Sequence, residues 1–149
     1  MRKLILTVAL ALATTATFAA PSVLRKSGDC KLQIGDTFDD SKVFNAELSN
    51  SDVQVTGKFH GGDFFGEFTL FANPTLNNKS GKKLNVAYHV AFFDKAGELV
   101  ASAGQSGDVD ADAKDHQFGS CLSRLSQAEF AKITSYKVVV YVDNAKPKK

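Results

Sequence analysis

The chain has 149 residues, 44% of them hydrophobic, with 18 basic and 16 acidic side chains and two cysteines. That size suits one domain with its own core, burying roughly two-thirds of the unfolded surface. The near-balanced charge offers no basic face for nucleic acid, and the longest apolar run is too short for a stable membrane anchor.

Residues 1–19 read as a secretory signal peptide: Arg2 and Lys3 precede an apolar run over residues 4–12, and small residues follow up to Ala19. No cysteine follows the small residues directly, which disfavours a lipid anchor. Removing Arg2 and Lys3 leaves sixteen basic against sixteen acidic residues, so the excess positive charge belongs to the leader. The expected product is a periplasmic or secreted single domain over residues 20–149, with a mobile lysine-rich tail from about residue 144 that carries Lys146, Lys148 and Lys149.

In chain order, residues 21–29 are polar and read as a mobile lead-in. Residues 30–38 suit a short edge strand through Leu32 and Ile34. Residues 43–48 stay open between a short strand and irregular chain. Residues 52–59 alternate, with Val53, Val55, Gly57 and Phe59 on one face, and so predict a strand. His60, Gly61, Gly62 and Asp63 read as a turn into a meander over residues 63–100, around which the other strands are arranged. Its first strand, 64–73, carries Phe64, Phe68, Leu70 and Ala72 in one row, with Phe65, Glu67, Thr69 and Phe71 opposite. Pro74 removes a backbone donor and is expected to loosen or end it. An Asn/Ser/Gly turn at residues 77–81 leads to a strand over 83–93, with Val86, Tyr88, Val90 and Phe92 on one face and Ala87, His89, Ala91 and Phe93 on the other. Asp94 to Gly97 suit a tight hairpin with Gly97 left-handed, returning as a strand near residues 98–102.

The run Val90-Ala91-Phe92-Phe93-Asp94, the Asn78 turn before it and Gly97 after it resemble the FxLYD-type extracytoplasmic β-sandwich domains, over roughly residues 64–120. Phe93 stands where that signature has Tyr and Val90 where it has Phe. The resemblance implies an immunoglobulin-like fold with a binding or accessory role and supplies no catalytic residues.

The small, acidic residues 103–115 read as a long loop, and residues 115–125 as a further strand. Ser126 and Glu129 have the spacing of a capping box, predicting a helix over 127–134 with Phe130 and Ile133 on the core. The β-branched run 136–142 predicts a central last strand covered on both faces. The fold class is all-β: an antiparallel, immunoglobulin-like β-sandwich of about seven or eight strands with one short helix near the C-terminus.

Two cysteines in an exported chain predict one disulfide, Cys30–Cys121, worth on the order of 4–5 kcal/mol in the chain-entropy model. Asp108, Asp110 and Asp112 have the spacing of a calcium-loop opening, but Ala113 and Gly119 stand where the loop needs Gly and Glu. The EF-hand reading fails, which leaves a looser calcium site against a solvated acidic loop. His60, His89 and His116 lack zinc spacing. No serine or cysteine nucleophile motif occurs, so the chain reads as no enzyme and needs no cofactor. Asn78-Lys79-Ser80 is a glycosylation sequon. Phe65, Phe71 and Phe93 lie opposite the apolar rows. They form a contact patch if that face meets water, and ordinary core if a second layer covers it. The leading reading is a non-enzymatic module recognising a protein or envelope surface. A carrier holding an apolar ligand in a β-barrel, and a hydrolase or metal-dependent enzyme, are the alternatives.

Overall fold

The computed structural model describes residues 21–35 and 40–145. Residues 1–19, which read as a signal peptide, and the tail lysines Lys146, Lys148 and Lys149 fall outside them. The described chain is an antiparallel β-sandwich of two sheets. One has the order β1 (Ser22–Asp29), β9 (Ser135–Asn144), β5 (Leu84–Phe93), β6 (Leu99–Val109). The other has the order β2 (Phe44–Ser49), β3 (Val53–Phe64), β4 (Glu67–Asn78), with the short strands β7 (His116–Gln117) and β8 (Leu122–Arg124) both on the far side of β4.

The period-two pattern decides which face each strand turns inward. Val53, Val55 and Phe59 of β3 and Leu70, Ala72 and Leu76 of β4 meet Val86, Tyr88, Val90 and Phe92 of β5 and Val138 and Val140 of β9, all buried. Phe59 ties the layers together, edge-on to Phe92 at 5.1 Å and to Tyr136 at 5.6 Å between ring centres. The inward rows of β4 and β5 are those expected, except at Phe64. That residue ends β3, on the outer side of the sheet beside Phe71.

Several expected boundaries move for identifiable reasons. The lead-in is not mobile: residues 22–29 pair with β9 along their whole length. Residues 30–35 contribute no full strand, only the parallel bridge of Ile34 to Gly61, and residues 36–38 lie outside the described residues. Gly61 and Gly62 do not turn the chain. They continue β3 as places of close approach, since a Cβ on Gly61 would meet the Phe130 ring at 2.7 Å and one on Gly62 the Gly35 carbonyl at 2.9 Å. The reversal comes later, at Phe65-Gly66. Pro74 sits inside β4. The Ala72 amide points away from β3 to the Cys121 carbonyl, so two residues on the proline nitrogen faces the same way, into the gap between β7 and β8 where no donor is required.

The three strands of the expected meander are not consecutive neighbours, because β4 and β5 lie in different sheets. The link between them is a crossover held by Asn78, which is 3% exposed. Its side-chain amide donates to the Lys82 carbonyl at 2.7 Å and the Asp110 carbonyl at 2.9 Å, and its oxygen accepts from the Ser80 amide and hydroxyl. An amide nitrogen so engaged is no glycan acceptor in the folded protein. The Asp94–Gly97 hairpin forms as expected, with Gly97 at φ 82°. Its return strand β6 runs on to Val109, through what read as loop, because Ala103 and Val109 still reach the core. Residues 115–125 split into β7 and β8. The helix α1 (Gln127–Phe130) keeps its full capping box, and the hydrogen bonds from Ser126 hold the Glu129 carboxyl below the usual range. β9 is central in its sheet but covered on one face alone: Lys137 and Tyr141 point outward and are exposed.

Candidate functional site

The expected disulfide does not form: Cys30 and Cys121 are free thiols in the core. Cys30 ends β1 with its amide on the Thr134 carbonyl, whereas Cys121 precedes β8 with its amide on the Asn73 side chain at 2.9 Å. Cys121 is an electrostatic neighbour of Tyr88, Tyr88 of Tyr136, and Tyr136 of Cys30. Burial, with the Asp29 charge beside it, pushes the Cys30 thiol up to about 11, and burial alone does the same to Cys121. Neither is an activated nucleophile.

The acidic triplet does not converge on a cation. Lys83 lies 3.7 Å from Asp108 and 3.3 Å from Asp110, Asn85 donates to Asp108 at 3.0 Å, and Asp112 turns away in a left-handed conformation at φ 56°. Among the described residues no group of three His, Cys, Asp or Glu side chains is placed to hold a metal. The histidines lie apart. His60 is on the outer side of the β2–β3–β4 sheet, His89 on the outer side of the other, and His116 on β7 against Phe118.

Nor do Phe65, Phe71 and Phe93 form one patch. Phe93 belongs to the β5 sheet, half-buried under the Lys137 ammonium at 5.0 Å. Phe71 belongs to the opposite layer and is 2% exposed. Phe65 is 90% exposed, the most of any large apolar side chain among the described residues.

What replaces the patch is a ladder of rings along the outer side of the β3–β4 pair. His60 stacks parallel on Phe71 at 4.7 Å, Phe64 meets Phe71 edge-on at 5.8 Å, and Phe65 meets Phe64 at 4.6 Å. The lower rungs are buried beside the segment carrying Gln33 and Gly35, whose backbone bonds Gly61. The top rung is in water. β3 and β4 are paired as far as Phe64 and Glu67, so Phe65 and Gly66 form a two-residue loop. Their φ values of 54° and 81° are both positive, as a type I′ turn requires. That conformation favours Asn or Gly at the first position, and a bulky L-residue there costs roughly 1–2 kcal/mol. The turn is fastened by Asp63, whose carboxylate accepts from the Gly66 amide at 3.0 Å. Glu67 on the other flank is held by Arg124 at 2.6 Å.

The sequence points to Phe65 as a contact residue but not to its turn, because Gly61-Gly62 is the stronger turn signal. The cue available was the dipeptide Phe65-Gly66 between two runs that alternate in opposite senses. No model of a known protein family matches the chain, and a search of characterised proteins finds none similar to it.

Proposed function

We propose that the chain is an exported, non-enzymatic binding module that grips a protein partner with the β3–β4 hairpin, Phe65 serving as the anchor. One observation carries this reading: a phenylalanine that is 90% exposed occupies a left-handed turn position where it costs stability and packs into no core. Exposed aromatic side chains on a fixed support are the usual centre of a protein contact. The paired strands below and the ring ladder beside it supply that support. With Glu67 paired to Arg124, the flanking Asp63 carboxylate favours a partner whose apolar pocket has a basic rim. The leader-like start of the sequence and the resemblance to FxLYD-type domains agree with an accessory role outside the cytoplasm. The ring contacts of Phe59, Phe92 and Tyr136 between the sheets speak against an apolar-ligand carrier, whose barrel would have to be open there.

The reading is tested by placing a photo-crosslinking phenylalanine analogue at position 65 and, as a control, at Leu99, an exposed apolar residue on the other sheet. A discrete crosslinked protein from position 65, and none from position 99, is expected. Indiscriminate crosslinking from both positions sinks the proposal.

A further inference from the structure

The outer faces of the two sheets are unlike. On the β2–β3–β4 sheet the rings of His60 and Phe71 are buried beside the segment that carries Gln33 and Gly35. On the other sheet the outer face lies open along β1 and β9. Val23 is 39% and Tyr141 50% exposed, and the register sets them side by side. The next pair on that face is Arg25 with Val139, and the next is Ser27 with Lys137. All six point outward, because Leu24, Val138 and Val140, which alternate with them, are buried. Arg25, Ser27, Lys137 and Val139 line a shallow depression of about 320 Å³. Val139 gives it an apolar floor, which Tyr141 and Val23 continue at one end.

The rim of this depression is basic. Arg25 is exposed, and among the described residues no carboxylate lies within ion-pair distance of it. His89 lies across Val139 on β5 and is exposed. The Lys137 ammonium stays on this face too, 5.0 Å from the centre of the Phe93 ring, so a ring and not an acid holds it. The hairpin tip has the opposite character. There an exposed apolar ring stands beside the Asp63 carboxylate, while Glu67 is already matched by Arg124.

We propose that the protein partner of Phe65 is a second copy of this chain, whose β1–β9 face receives the ring over Val139 and Tyr141 with Asp63 set against Arg25. This inference rests on the reading of Phe65 as a contact anchor and names its partner. Charge complementarity selects the arrangement: docking tip to tip would set Asp63 against Asp63, whereas tip to face sets it against a guanidinium. Tip and face are different surfaces, so the contact is heterologous, and each pair keeps one tip and one face to which further copies add. The formal net charge of the chain is only +2, which leaves little mutual repulsion to overcome. A contact centred on one hairpin tip falls well below the standard interface of about 1,600 Å², which places its dissociation constant at about 10 µM to 1 mM. Leu99 lies outside the contact, on the edge strand β6 at the far side of the sheet from β1.

Sedimentation equilibrium of the full chain over about 10 µM to 1 mM tests the proposal. The mean mass is expected to rise with concentration past that of a dimer. Phe65→Asn removes the ring and leaves the face, and Arg25→Glu reverses the face and leaves the tip. Both positions are exposed, so each variant is expected to melt cooperatively and, alone, to associate at least about tenfold more weakly than the parent. An equimolar mixture of the two is expected to form one-to-one pairs and nothing larger, since tips survive on one variant and faces on the other. The proposal is overturned by a parent that stays monomeric up to about 1 mM, by either variant associating as strongly as the parent, or by a mixture no heavier than its components. If the chain stays monomeric while position 65 still crosslinks a discrete protein of another kind, this inference falls and the anchor role of Phe65 stands. If position 65 yields no discrete crosslink, the anchor role itself falls.

Discussion

Tyr88 shows how a single atom sets a local cost. Its ring fills the core and is 2% exposed, yet its hydroxyl has no hydrogen-bond partner among the described residues and rests where a Cβ on Gly57 would lie 2.6 Å away. An unsatisfied buried hydroxyl costs about 1–3 kcal/mol. Tyr88→Phe keeps the ring and removes the orphan, so a denaturant melt should show the variant more stable by about 1 kcal/mol. The thiols give a second prediction at this scale. Both are raised from 9.0 to about 11 in the folded protein. The unfolded chain therefore releases these protons first, and native stability is lost as pH rises from about 9 to about 11. A Cys30→Ser, Cys121→Ser double variant should flatten the fall in denaturant midpoint across that window. An unchanged slope would show that the thiols take no part. The pairing of the two cysteines was misjudged because their number and a leader-like start are in the sequence, and their separate places in the core are not.

At the scale of elements, Asn78 clamps the crossover from β4 to β5 by donating to two carbonyls, which otherwise keep the longer bonds from the Ser80 hydroxyl at 3.2 Å and the Ala113 amide at 3.3 Å. Asn78→Ala should cost about 2–3 kcal/mol in chemical denaturation, more than removing any exposed turn residue. A loss below about 0.5 kcal/mol would mean that water replaces the clamp readily. Asn78 also marks the limit of what the sequence disclosed about elements. Local chemistry was legible: the capping box at Ser126 and Glu129, the left-handed Gly97 and the inward rows of β4 and β5 all follow from neighbours along the chain. Elements decided by distant partners were not. Gly61 and Gly62 look like a turn until Phe130 and the Gly35 carbonyl are seen to occupy the space above them. The polar β1 looks mobile until β9 is seen to complete its ladder. The acidic run that looked like calcium ligands is the end of an edge strand whose charges Lys83 meets.

For the whole molecule, the sandwich is bridged along both long sides, by Ser123 and Gln105 on one and by Lys26 and Asn50 on the other. The β3–β4 pair ends in an apolar tip that no core residue covers. Stability and recognition conflict at that tip, since Asn in place of Phe65 would suit a type I′ turn far better. The two-sheet architecture was readable from alternating strands and their turn spacing. The tip was not, because exposure depends on where the opposite sheet stops.

The most direct measurement is therefore made on Phe65→Asn, reading thermal stability and retention of the protein crosslinked from position 65 in the same preparation. The variant should gain up to about 1 kcal/mol, melting a few degrees higher, because Asn tolerates the left-handed turn, and it should fail to retain the partner. A variant that is no more stable than the parent and retains the partner as well would contradict the claim that Phe65 is held in a costly conformation for the sake of contact.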